Sequence, residues 1–199
     1  MKKILSIILA AFLLAALAAC GNHSQAETKG QEESAESASP AESDVLVAYF
    51  SATGTTKGVA EKIASITGGD LYEILAAEPY SDEDLNYNDS STRATTEQKD
   101  KSVRPEIGSE DISLEGYTTI YLGFPIWWGE EPRILDTFVE KYSFEGITVI
   151  PFCTSQSSGI GRSGPNMEAL AGTGTWMDGK RFGGNVSEED LQSWIEGLK

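Results

Sequence analysis

The 199-residue chain carries 31 acidic and 15 basic side chains, a formal net charge of −16. Such an acidic body argues against nucleic acid and against electrostatic docking on anionic lipid. One histidine and two cysteines leave little material for a metal site or a disulfide framework.

In chain order, Met1-Lys2-Lys3 is a short basic head, and Ile4 to Leu17 is an apolar run too short for a comfortable membrane span. It closes on Leu17-Ala18-Ala19-Cys20. An ordinary secretory signal with an incidental cysteine would look similar. The small residues and the polar shift at Gly21 instead resemble the lipobox of bacterial lipoproteins, in which the cysteine is acylated. Residues 1–19 are therefore expected to be a signal peptide and Cys20 a lipidated residue, holding the protein on the extracytoplasmic membrane face. Residues 20–43 contain no Val, Ile, Leu or aromatic residue and read as a disordered tether. His23 falls in that tether, which removes histidine chemistry from the folded part. Cys153 is then the sole remaining thiol, most simply a small buried hydrophobe at a strand end.

Residues 44–199 are sized for one domain. Val45-Leu-Val-Ala-Tyr-Phe50 predicts a strand. It runs through Ser51-Ala-Thr-Gly-Thr-Thr-Lys57 into a helix whose Val59, Ile63 and Ile66 form an apolar stripe. A loop of this kind gathers hydroxyls, backbone N–H groups and the positive helix end at one spot, which suits a phosphate. A capped helix start has the same appearance, and the spacing is not that of a Walker loop. Gly68-Gly69 ends the helix and Asp70-Leu-Tyr-Glu-Ile-Leu-Ala76 predicts a second strand. From Glu78 to Gly116 the chain is polar, with a helix expected over Thr92–Lys101 and structural ion pairs at Arg93 and Arg104.

Thr118-Thr-Ile-Tyr-Leu-Gly123 predicts a third strand, followed by Phe124-Pro125-Ile126-Trp127-Trp128-Gly129. A helix starting at Pro132 buries Ile134, Leu135, Phe138 and Val139. Gly146-Ile-Thr-Val-Ile-Pro-Phe152 predicts a fourth strand, which leads into Cys153-Thr154-Ser155-Gln156-Ser157-Ser158-Gly159. A short helix around Met167 and Leu170 follows, then a last strand over Thr175–Phe182. Ser187 and Asp190 form a capping pair ahead of Leu191, Trp194, Ile195 and Leu198 at helical spacing. Gly159 to Gly164 fits G-x-G-x-x-G but stands well beyond the strand and runs into Pro165, so it reads as a glycine loop and not a dinucleotide fingerprint.

Five strands alternating with helices predict an α/β, doubly wound three-layer sandwich around a five-stranded parallel sheet. In such sheets a ligand sits beyond the carboxyl ends of the strands, where three unusual loops converge. Two adjacent tryptophans cannot both enter one core. An aromatic plate beside a phosphate loop suits a flat ring bearing a phosphate tail.

The order Ser51–Lys57, then Phe124–Gly129, then Cys153–Gly161 resembles the flavodoxin-like FMN proteins, in the branch whose second loop reads Pro-Ile-Trp-Trp-Gly. The likeness covers Val45 to Leu198. It implies FMN as cofactor, with Ser51, Thr53, Gly54, Thr55 and Thr56 around the phosphate. It also implies Pro125, Ile126, Trp127, Trp128 and Gly129 along the isoalloxazine, and Thr154, Ser155, Gln156, Ser157, Ser158 and Gly159 near its pyrimidine side. Many flavodoxins carry a second aromatic in the third loop, and this chain has none there. Its ring face is then open or covered from the 78–116 region, by a residue such as Tyr80 or Tyr87. The resemblance implies electron transfer with a redox partner protein or a small electron donor or acceptor. A quinone- or NAD(P)H-dependent reductase, and a non-redox module for a phosphorylated ligand, remain as alternatives. No catalytic carboxylate pair is evident.

Overall fold

The computed structural model describes residues 43–198. The expected signal peptide, almost all of the expected tether, Cys20 and His23 lie outside the described residues. Eleven elements follow in order: β1 (Val45–Tyr49), α1 (Thr55–Thr67), β2 (Asp70–Glu73), α2 (Arg93–Lys99), β3 (Thr119–Pro125), α3 (Arg133–Lys141), β4 (Thr148–Thr154), α4 (Ser163–Ala171), β5 (Thr175–Trp176), β6 (Lys180–Phe182) and α5 (Glu188–Glu196). The sheet runs β2-β1-β3-β4-β5, with β6 also on β4, and every pairing is parallel.

Because helices cover both faces, the central strands β1, β3 and β4 bury both of their side-chain rows, and this is why they read as unbroken apolar runs. Leu46, Ala48, Ile120, Leu122 and Phe124 face one way, onto Ile134, Leu135, Phe138 and Val139 of α3 and Met167 of α4. Val47, Tyr49, Tyr121, Ile150 and Phe152 face the other, onto Val59, Ala60 and Ile63 of α1 and Leu191, Trp194 and Ile195 of α5. Ser187 caps α5 by accepting from the Asp190 N–H at 3.1 Å, and Pro132 stands at the start of α3. Arg93 pairs with Glu97 at 2.8 Å and Arg104 with Glu140 at 2.7 Å, both structural ion pairs as expected.

The last strand differs from expectation. Thr175–Phe182 is not one strand but two short ones, β5 and β6, separated by Met177 to Gly179. The cause lies in β4. The backbone carbonyls of Ile147 and Val149 accept from Thr175 and Met177, so alternate residues of β4 point their backbone groups at this edge. Pro151 is next in that row and has no N–H to offer. Pairing lapses opposite it and resumes where Phe152, Cys153 and Thr154 meet Lys180, Arg181 and Phe182.

Candidate functional site

The carboxyl ends of β1, β3 and β4 open into a cavity of about 940 Å³. All three loops expected there contribute to it: Thr53 and Thr55 from the first, Pro125 to Gly129 from the second, and Thr154 to Ser158 from the third. Leu85 and Tyr87 close one side, and Gly183, Gly184 and Asn185 the other. A second cleft, of about 600 Å³, lies at the opposite, amino-terminal ends of the strands, against Val45, Thr119 and Thr148. Open parallel sheets place their ligands at the carboxyl ends, because loops and helix N-termini converge there.

The first loop is built by Gly54. At φ +82° it adopts a left-handed conformation that a Cβ would strain, and it starts α1 without any side-chain cap. No acidic residue stands in the first turn of α1. The first-turn N–H groups therefore have no side-chain acceptor, a condition that favours a bound anion. Gly184 approaches this turn closely. A Cβ there would lie 2.6 Å from Thr55 Cγ2, so a larger residue at 184 would require the Thr55 side chain to shift for the 183–185 loop to close on the first.

Not every expected residue lines the cavity. Thr56, 1% exposed, lies behind the lining, and its hydroxyl meets that of the lining residue Thr154, itself 4% exposed, across 2.8 Å, which ties α1 to the end of β4. Gly54 shapes the loop from outside the lining. Ser51 faces a smaller pocket of about 170 Å³ beside Phe50, Ile74 and Tyr80, and its hydroxyl has no hydrogen-bond partner among the described residues. Gly159 lies beyond the lining as well.

In the second loop, Trp127 and Glu130 exchange backbone hydrogen bonds of 2.9 and 3.1 Å across a two-residue turn. Trp128 and Gly129, at φ +48° and +86°, occupy the turn itself. Both dihedrals are left-handed, the pattern of a tight hairpin turn, and the sequence places a tryptophan where asparagine or glycine is the usual choice. The result separates the two indoles. Trp127 is 4% exposed and packs edge-on to Tyr80 and Phe50, with ring centroids 4.9 and 5.5 Å away. Trp128 is 40% exposed and lies over Tyr87 at 4.4 Å, with 32° between the planes. One tryptophan supports the site and the other faces it. Tyr80 and Tyr87 divide likewise: Tyr80 lies under Trp127 and donates to Glu97 at 2.6 Å, while Tyr87 stands at the cavity wall.

The third loop is fixed at both ends. The Ser155 N–H donates to the Phe182 carbonyl, the Ser155 hydroxyl to the Ser158 carbonyl, and Arg181 to the Ser155 carbonyl at 3.2 Å. Ile126 donates to the Thr154 carbonyl at 3.1 Å and so links the second loop to the third. Cys153 is fully buried in β4, and burial pushes its thiol up to about 12, so it is packing and not a nucleophile.

Two properties define the chemistry available. Among the described residues no charged side chain lines the cavity, so an anion would be held by hydroxyls, backbone N–H groups and the Asn185 amide. An aromatic face stands at the other end. Among the described residues no cluster of His, Cys, Asp and Glu could hold a metal ion.

A family model described as Flavodoxin matches residues 44–198. Among solved structures, a candidate flavoprotein from Bacteroides uniformis is 42% identical over 76% of this chain and 97% of its own, with a TM-score of 0.73. One from Bacteroides eggerthii is 40% identical over 77% and 96%, with a TM-score of 0.72. A flavoprotein from Lactobacillus acidophilus, solved in complex with FMN, is 25% identical over 76% and 97%, with a TM-score of 0.59. A comparison with curated proteins returns no match.

Proposed function

The chain belongs to the flavodoxin family, and we propose that it binds FMN in this cavity and transfers electrons through it. The observation that carries the reading is the cavity's division of labour. One end offers hydroxyls and uncapped helix N–H groups, the other an exposed indole, and no charge lies between. A phosphorylated flat ring needs that combination, and the size is right for a ligand of this class. The likeness to an FMN-bound flavoprotein supports the choice of ring.

On this reading Thr53, Thr55 and the first turn of α1 hold the phosphate, and Asn185 reaches the same end. Trp128 stacks on the isoalloxazine, Tyr87 shares that wall, and Trp127 with Pro125 excludes water beneath it. Ser155 to Ser158 present backbone groups to the pyrimidine edge. The flavin, once bound, supplies one- and two-electron redox chemistry. The chain's part is to orient the ring and set its surroundings, and the net negative charge of the body disfavours added negative charge on it. The expected acylation of Cys20 would hold the domain at the extracytoplasmic membrane face, where it exchanges electrons with a partner protein or a small donor or acceptor.

The test is an absorbance spectrum of the purified full chain after incubation with FMN and desalting. Retained flavin bands that bleach with dithionite support the reading. Bleaching with NAD(P)H alone would shift it from carrier to reductase. Loss of all flavin on desalting would overturn it in favour of a non-redox module. Incorporation of radiolabelled palmitate, abolished in Cys20→Ser, tests the anchor.

A further inference from the structure

The long connection between β2 and β3 carries α2, which the site as described does not use. Its Gln98 is 8% exposed. The side-chain amide nitrogen of Gln98 donates to the Trp127 carbonyl at 2.9 Å and to the Glu131 carbonyl at 3.1 Å. Two carbonyls facing it settle which end of the carboxamide is nitrogen, and its two N–H groups are matched to them one for one. Its oxygen has no hydrogen-bond partner among the described residues. The fold therefore uses Gln98 as a donor.

Those two carbonyls flank the hairpin that presents Trp128. Trp127 opens the turn, and Glu131 follows its closing residue. The same place is gripped from α3: the Arg133 guanidinium, 3% exposed, donates to the Gln98 backbone carbonyl at 3.3 Å and to the Glu130 carboxylate at 2.5 Å. Such fixing is needed because Trp128 holds φ +48°, a conformation that a Cβ disfavours and that persists only where the surroundings over-determine it.

We infer that Gln98 is a positioning residue for the isoalloxazine end of the site. Through its paired hydrogen bonds it fixes the tilt of the Trp127–Glu130 hairpin, and so it sets both how tightly the ring is held and at what potential it is reduced. The inference rests on the FMN reading above. It also adds to the part that the 78–116 region plays through Leu85 and Tyr87 a second task, that of carrying the brace for a loop some thirty residues downstream.

The test compares the full-length wild type with Gln98→Met, which keeps the length and loses both donors, and with Thr92→Ala, which removes the cap of α2 and leaves Gln98 intact. Affinities for FMN and for riboflavin are read by flavin fluorescence, the midpoint potential by dye equilibration, and stability by thermal unfolding. Gln98→Met is expected to bind both flavins about tenfold more weakly and to shift the potential of what it binds. Thr92→Ala is expected to lose stability while keeping affinity and potential. Should Gln98→Met not fold, Gln98→Asn, which keeps the donors one methylene short, is expected to show a smaller loss in the same direction. Unchanged affinity and potential in the Gln98 variant would overturn the inference, as would equal changes in the Thr92 variant, which would reduce Gln98 to a stabiliser of α2. A wild type that binds no FMN would overturn the functional reading and this inference together.

Discussion

The Thr56–Thr154 pair gives a direct measure of how the first and third loops are coupled. The two hydroxyls are buried at 1% and 4% exposure, stand 2.8 Å apart, and make no other hydrogen bond among the described residues. Thr56→Val keeps the shape and removes one partner, leaving the Thr154 hydroxyl buried and unpaired. That costs about 1–3 kcal/mol, which for a domain of this size lowers the thermal midpoint by about 2–12 °C. Thr154→Val is expected to cost as much for the same reason. In the double variant both polar groups are gone, so the losses should not add. A coupling of about 1–2 kcal/mol between the two substitutions is expected. Urea and thermal unfolding of the four proteins, without flavin, complete the cycle. Losses that simply sum, or a single variant as stable as the wild type, would refute the claim that this hydrogen bond ties the two loops together.

The remaining outcomes concern charge and the two indoles. Because no charged side chain lines the cavity and the chain is net −16, raising salt from about 50 to about 500 mM should leave FMN affinity unchanged or tighten it; a marked weakening in a fluorescence titration would point to a lysine- or arginine-built phosphate site. Trp128→Ala should weaken FMN binding by about 1–3 kcal/mol with little change in stability. Trp127→Ala, emptying a space between Phe50 and Tyr80, should destabilise the fold by about 3–5 kcal/mol in denaturant unfolding. Burial and the nearby Glu131 carboxylate push the Asp136 carboxyl up to about 6, against the pull of Arg133. The folded state thus holds a proton that the unfolded chain releases. The stability this contributes is present below about pH 4 and lost as pH rises through about 6. Relative to Asp136→Asn, the wild type should gain stability between about pH 7 and about pH 5, and parallel profiles would contradict this.

Much of this architecture was legible because both rows of the central strands are buried, which turns Val45–Phe50 and Thr118–Gly123 into plain apolar runs bounded by loop residues. The three loops stood out for the opposite reason: glycine, hydroxyls and tryptophans where a buried strand had just ended. Packing decided what could not be read. The separation of Trp127 from Trp128 depends on a left-handed turn that the sequence disguises by placing tryptophan in it. Tyr80 and Tyr87 were equal candidates until the fold put one beneath the hairpin and the other beside it. Gly183 to Asn185 reached the site through a return of the chain that no local periodicity encodes. The doubled glycine was the available sign, explained only by the nearness of Thr55. Pro151 was likewise visible inside the fourth strand, yet its effect falls on a neighbour some thirty residues later.

That proline has a consequence at the rim of the sheet. An outer strand with a continuous row of free N–H and C=O groups is a template on which a second sheet can grow. Here the outermost position beyond β4 is filled by two fragments of two and three residues, offset by the detour at Met177 to Gly179. A strand arriving from another molecule would lose register within a few residues. For a protein proposed to be anchored on a membrane surface, where two copies can meet side by side, a proline inside the sheet works against their fusing edge to edge.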